Sequence, residues 1–185
     1  MTIEEIFELL KPETELEKLI LSDPIFIDGL LYGKERPGHP EGKIIFHIRD
    51  VFKNIDECEY VTSQQRTKLR LIAFFHDICK FQVNYDLPRI GDNHHSKLAF
   101  KFAEKYITDV DILNVIKYHD DAYNIWKRSY KRNEWEKGEK DLLKLLNKIT
   151  DINLYKYFYY CDNSTGDKEQ NDFYWFLKIS LNKNG

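Results

Sequence analysis

Apolar residues along this chain of 185 residues recur at intervals of three and four, with little sustained alternation, and that spacing predicts helices throughout. Residues 41–55 place Ile44, Ile48, Val51, Phe52 and Ile55 in one helical stripe. Thr62 or Ser63 caps the next helix, with Gln65 completing a capping box from Thr62, and that helix runs to about residue 78. One of its faces carries Leu69, Ile72, Ala73 and His76. A third helix starts near Asn93 and aligns His95, Leu98, Ala99, Phe102 and Tyr106; a fourth, capped by Asp109, aligns Ile112, Val115, Ile116 and His119. Residues 140–162 read as a long or broken helix, and residues 172–181 as a closing amphipathic one. Breaks fall at Asp23-Pro24 and in residues 34–42, 82–93 and 163–166, where turn formers concentrate. The expected fold is therefore all-α. A single compact domain is expected, because the length suits one sizeable core and no repeat or flexible linker divides it.

Composition narrows the setting. No apolar run approaches the roughly 20 residues that cross a bilayer, so no membrane association is expected. The opening MTIEEIFELLKPETELEKL is acidic and amphipathic, without the basic start and apolar middle of a secretory signal, and a cytoplasmic location is the expectation. Cys58, Cys79 and Cys161 are odd in number and lack CxxC spacing, which argues against a disulfide framework or a thiolate zinc site and for small buried thiols. A formal net charge of -3 gives no global reason to bind nucleic acid, so any polyanion site must be local. Oligomeric state is not written in the sequence.

The histidines change the picture most. The chain has only 6, and His47, His76, His95 and His119 fall on or beside the apolar stripes of separate predicted helices. A lone histidine on such a face is ordinarily a core residue bonded to a backbone carbonyl. Several converging from different helices suit a divalent metal, because neutral imidazole offers a lone pair and carboxylates offset the cation's charge. His76-Asp77 is the sharpest local signal, at the end of an apolar helix that runs through Phe-Phe-His-Asp-Ile-Cys-Lys into a polar loop. Neighbours on a helix point about 100 degrees apart, so both reach one ion most easily at a terminus.

An isolated His47, then His76-Asp77 with Lys80, then a distant Asp162 resembles the HD superfamily of metal-dependent phosphohydrolases over residues 38–168. The stretch Gly-His-Pro-Glu-Gly-Lys-Ile-Ile-Phe-His, residues 38–47, is further similar to the opening of HD domains attached to bacterial CCA-adding enzymes. Asn-His-His-Ser-Lys-Leu-Ala-Phe, residues 93–100, resembles a second histidine segment in which His95 rather than His94 is the match. Lys-Tyr-His-Asp, residues 117–120, resembles a later segment whose histidine helps hold a second metal or the phosphate. Asp151 competes with Asp162 for the closing position; Asp162 is preferred because it shares a stripe with Tyr155, Phe158 and Tyr159 and precedes a Gly-bearing turn. In a rival alignment the closing position falls on Asn147, which would leave the site defective.

The resemblance implies a phosphohydrolase, acting as a phosphomonoesterase or a phosphodiesterase, in which a cation activates water and neutralises charge developing on the phosphoryl group. It implies His47, His76, Asp77 and Asp162 on the first metal, His95 and His119 on a second metal or the phosphate, and Asp77 as the bridging carboxylate. Lys80 can place a point charge on the phosphate, with Arg49 and Asp120 as further substrate contacts. One or two ions are expected; Mn, Fe, Co, Ni, Zn and Mg all suit imidazole and carboxylate ligands. Residues 118–140 interleave Tyr123, Trp126, Tyr130 and Trp135 with Lys127, Arg128, Lys131, Arg132, Lys137 and Lys140, pointing to a nucleotide or a single-stranded RNA end as the phosphate ester. The competing reading packs those rings inward behind a solvated charged face. Two rivals to hydrolysis remain: a di-iron oxygenase using the same ligands, and a sensor module that binds metal or nucleotide without turnover.

Overall fold

The computed structural model describes residues 1–182, and among them it contains helices and no strand. Three short helices open the chain: α1 (Ile3–Leu10), α2 (Glu15–Ile20) and α3 (Pro24–Leu31). Thr2 with Glu5 and Thr14 with Glu17 form capping boxes on the first two, and Asp23 caps the third ahead of Pro24, so each start is fixed by local sequence. The rest is α4 (Ile44–Asp56), α5 (Ser63–Phe75), α6 (His95–Ala103), α7 (Val110–Tyr118), α8 (Asp121–Arg132), α9 (Trp135–Leu146), α10 (Ile152–Asn163) and α11 (Asn171–Asn182). None of these is long and apolar enough to cross a membrane.

Two boundaries differ from the apolar pattern, and a third region is resolved between two readings. The helix expected from residue 41 starts at Ile44, because Gly42 adopts a φ of +76° and Lys43 is extended; the loop before it is pinned by single bridges between Gly33 and Lys43 and between Arg36 and His39. The helix expected to reach residue 78 ends at Phe75, after which the chain tightens into turns closed by Ile78 N–H on the Phe75 carbonyl and Lys80 N–H on the Asp77 carbonyl. Residues 140–162, which read as a long or broken helix, are broken: α9 stops at Leu146, and the Asp151 carboxylate accepts from Leu154 N–H at 2.9 Å to restart the chain as α10.

Helix α5 is the axle. It packs against α4, α6, α7 and α10, and every residue from 69 to 75 is buried. Arg70 lies within that run. Its guanidinium meets the buried Glu17 carboxylate at 2.9 Å and lies 4.0 Å over the Phe52 ring, so the charge enters the core already paired. One cluster of buried side chains, including Phe26, Phe74, Phe75, Phe158 and Phe176, joins these helices. Cys79 and Cys161 are buried as expected of structural thiols, and Cys58 is half-buried. Helix α3 crosses so near the turn after α5 that a Cβ on Gly29 would sit 2.2 Å from the Ile78 carbonyl oxygen, which seats that turn firmly. The start of α4, the end of α5, the start of α6, the end of α7 and the end of α10 therefore meet at one end of the bundle.

Candidate metal centre

His47 lies near the start of α4, His76 and Asp77 follow α5, His95 opens α6, His119 and Asp120 follow α7, and Asp162 ends α10. Their side chains converge. His76 Nδ1 donates to the Ala73 carbonyl at 2.9 Å, and His119 Nδ1 to the Ile116 carbonyl at 2.9 Å. A carbonyl can only accept, so each ring carries a proton on Nδ1 and turns its Nε2 inward, where a lone pair is available whenever the ring is neutral.

Two groups result. In the first, His47 Nε2 is 3.0 Å from Asp162 Oδ1 and 3.2 Å from His76 Nε2, and His76 Nε2 is 3.5 Å from Asp77 Oδ2. In the second, His95 Nε2 is 3.2 Å from His119 Nε2, and the two lie 3.3 and 3.6 Å from Asp77 Oδ1. Asp120 adds Oδ2 at 3.2 Å from His95 Nε2 and Oδ1 at 3.7 Å from His119 Nε2. Asp77 thus faces one group with each oxygen. Ligands about 2.1 Å from a transition metal stand roughly 3.0 to 3.4 Å apart, which matches the closest of these spacings. Neutral imidazoles aimed nitrogen to nitrogen repel unless a proton or cation lies between them. On both grounds the residues fit metal ions.

The electrostatics agree. Burial alone would raise the Asp77 and Asp162 carboxyls, but Lys80 and His76 beside Asp77, and Lys168 and His47 beside Asp162, hold both well below the usual range. Asp120 is lowered in the same way by His119, His95 and Lys80 against its burial. Burial drives His76 down to about 3, leaving it a neutral donor. Burial opposes a charge on His119 too, yet Asp120 and Asp77 outweigh it and push the ring up to about 9. The ionised carboxylates call for a balancing positive charge, and a divalent cation would compete with the His119 proton for that role. Lys80 is paired with Asp77, and Lys168 Nζ lies 3.2 Å from Asp162 Oδ1.

Of the residues singled out from sequence, His47, His76, Asp77, Lys80, His95, His119, Asp120 and Asp162 come together. Arg49 does not. Two positions beyond His47 on a helix, it points away from the centre, pairs with Asp50 at 2.7 Å, lies over the Phe46 ring and has its side chain 45% exposed. Asp120, expected to contact substrate, lies beside His95 and His119 in the second group. Asp151 serves as a helix cap and Asn147 ends α9, while Asp162 is the carboxylate against His47. His94, passed over by register, stacks on His95 with ring centroids 4.6 Å apart and forms a further metal-sized group with His95 and Asp120.

Three residues escaped the sequence reading. Glu41 Oε1 lies 3.1 Å from His47 Nδ1, at an angle short of a formed hydrogen bond, and 2.9 Å from His39 Nδ1. Burial would raise this carboxyl, but His47 and His39 beside it bring it down to about 2. Lys168 is the third, held to Asp162 as described. The only prior signal for Glu41 and His39 was their place in Gly-His-Pro-Glu-Gly; Lys168 had none.

The centre opens into a cleft of about 1770 Å³. Lysines and arginines outnumber carboxylates along its wall, against the acidic balance of the whole chain. Tyr123, Trp126, Lys127, Arg128 and Lys131 of α8 line it beside Asp77, His95, His119 and Asp120. Ala122, Ile125 and Ser129 form the buried face of α8; of its rings, Tyr123 is half-buried against the core, Trp126 is half-buried and Tyr130 is exposed.

An all-helical bundle with clustered histidines and aspartates at one end has the residues to hold metal ions. The HD domain family matches residues 43–152, more than half of the chain, and the chain belongs to that family of metal-dependent phosphohydrolases. The match takes in His47, His76, Asp77, His95 and His119. It begins at residue 43, inside the stretch 38–47 that carried the narrower likeness to CCA-adding enzymes, and that likeness gains no support. No curated protein and no solved structure matches the chain.

Proposed function

We propose that this protein hydrolyses a phosphate ester at a centre able to hold two divalent ions. The observation that carries the reading is Asp77, whose two carboxylate oxygens face separate groups of inward-pointing imidazoles. His47, His76, Asp77 and Asp162 would hold the first ion; His95, His119, Asp77 and Asp120 would hold the second. When bound, such ions supply Lewis-acid activation of water and neutralise charge developing on a phosphoryl group.

The chain's own residues do the rest. The backbone carbonyls of Ala73 and Ile116 fix two imidazoles in the tautomer that presents Nε2. Lys80 is raised in pKa, since burial opposes its charge but Asp77 and Asp120 outweigh it, so at neutral pH it braces Asp77 and offers a fixed positive charge on the cleft wall. The surplus of lysine and arginine along the cleft selects an anionic substrate. Tyr123 and Trp126 on the same wall favour a nucleotide or a nucleic-acid end over a simple phosphate ester.

Elemental analysis of the purified protein, with His76→Ala and Asp162→Ala alongside, tests the centre. The expected result is near-stoichiometric transition metal in the wild type, lost in both variants, followed by turnover in a phosphatase and phosphodiesterase screen with added divalent cations. A wild type that holds no metal after soaking in Mn or Ni would overturn the reading. Turnover that depends on dioxygen would transfer the centre to the di-iron oxygenases, and bound metal without hydrolysis across a broad panel would make it a sensor.

A further inference from the structure

Helix α8 carries Tyr123, Trp126 and Tyr130 at positions i, i+3 and i+7, so the three rings share one face. They form a ladder: Tyr123 and Trp126 have centroids 6.1 Å apart with planes 27° from parallel, and Trp126 and Tyr130 are 5.4 Å apart at 17°. Trp135 extends the row, 6.3 Å from Tyr130. Rings on a soluble helix normally face the core, but here the core side belongs to Ala122, Ile125 and Ser129, and Tyr130 is 66% exposed. Lys127, Arg128 and Lys131 run alongside the rings on the exposed surface, Lys127 Nζ lying 5.2 Å over the Tyr123 ring.

A second observation bears on what the ladder binds. Its inner end opens onto the metal centre through one continuous cleft, whose volume of about 1770 Å³ is well above the ~300–1,000 Å³ of ordinary small-molecule sites. A single mononucleotide leaves most of that space and the outer rings unused. An extended ligand with an anionic backbone and repeated flat faces uses both the cations and the ladder, and stacking on aromatic rings tolerates any base.

We infer that the ladder on α8 binds single-stranded nucleic acid and feeds one of its phosphates to the metal centre, making a strand rather than a free nucleotide the substrate. The inference depends on the proposed phosphohydrolase activity only for what happens to that phosphate. Binding depends on α8 alone, so the two are separable by experiment.

The test is fluorescence anisotropy with a fluorescein-labelled oligouridylate of about twelve nucleotides, within the ~4–16-nucleotide span of single-strand sites. The wild type and the metal-site variant His76→Ala are both expected to bind at low salt, with affinity falling as salt rises by about 0.7 of a log unit per log unit for each phosphate neutralised. Trp126→Ala and the well-exposed Tyr130→Ala are each expected to weaken binding roughly 5- to 150-fold, the worth of one stacked base. Lys131→Ala should reduce the salt slope, and uridine monophosphate should not compete at concentrations where the unlabelled strand does. Binding without any hydrolysis would leave this inference standing and remove the proposed activity. Hydrolysis of small esters by a protein that binds no strand, or strand affinity unchanged in Tyr130→Ala and Trp126→Ala, would overturn it. So would a dimer that dissociates in Tyr130→Ala, which would assign the ladder to a second copy of the chain.

Discussion

Glu41 offers the sharpest test of how the centre is held. Its side chain is only 5% exposed, its carboxyl is held down to about 2, and Oε1 lies between His47 Nδ1 at 3.1 Å and His39 Nδ1 at 2.9 Å. An ionised acceptor there favours the His47 tautomer with the proton on Nδ1, which frees the Nε2 lone pair to face a cation together with Asp162 Oδ1 and His76 Nε2. Partners of this kind are worth about 10- to 100-fold in metal affinity, or roughly 1.4 to 2.7 kcal/mol. Glu41→Gln keeps an acceptor and loses the charge, so it belongs at the tenfold end; Glu41→Ala leaves both imidazoles without the carboxylate and belongs at the hundredfold end. Competition for Co or Mn against a chromogenic chelator measures the affinity, and nitrogen chemical shifts of His47 report its tautomer. A thermal melt of the metal-free variants separates loss of fold from loss of ligand. Wild-type affinity in both variants, with an unchanged tautomer, would refute the argument and leave Glu41 a mere bystander to a rigid ring.

The two candidate closing aspartates separate cleanly: Asp162→Ala is expected to abolish metal retention, whereas Asp151→Ala should keep the metal and cost about 1 kcal/mol of stability as a lost helix cap, and the reverse pattern in elemental analysis would overturn the assignment. Glu17→Ala leaves Arg70 charged in the core and should destabilise by about 3 kcal/mol, lowering Tm by roughly 6 to 12 °C in calorimetry. A drop of only a degree or two would mean that the Leu10 and Lys11 carbonyls and Glu13 suffice for the guanidinium. Burial would raise Asp23, yet the Tyr106 hydroxyl, donating at 2.5 Å, and the Ile25 and Phe26 amides outweigh it and lower its pKa. A carboxyl depressed by folding stabilises the protein above its unfolded pKa, and that share is lost as pH falls through the folded value below 3.8. Tyr106, pushed up to about 12 chiefly by burial and then by Asp23, contributes fully below 10 and loses its share as pH rises through 12. Denaturation of Tyr106→Phe should therefore show a deficit at neutral pH that shrinks in acid, and a deficit independent of pH would count against the coupling.

Burial explains which parts of this molecule were legible from sequence. His47, His76, His95 and His119 could be found because each interrupts an apolar stripe, where an unpartnered polar group is costly and so needs a reason. The same period located α5, α7 and most of α4, since their apolar faces meet a core that fixes their phase. It failed at residues 41–43, where the backbone conformation of Gly42 rather than side-chain polarity delays the helix, and it left residues 140–162 open between a long and a broken helix, because periodicity runs on either side of the break. It left α8 open between a ligand-facing wall and an inward-packed face. Rings at helical spacing ordinarily mark a core face, and only the small residues Ala122 and Ser129 on the opposite side reveal that α8 is anchored there instead. Glu41, His39 and Lys168 lie in loops, which carry no period, so nothing local distinguishes a glutamate that holds a histidine from one that is merely solvated. A metal centre's inner ligands sit where the core makes polarity conspicuous. Its outer supports sit where polarity is ordinary, and only the folded chain shows which of them face inward.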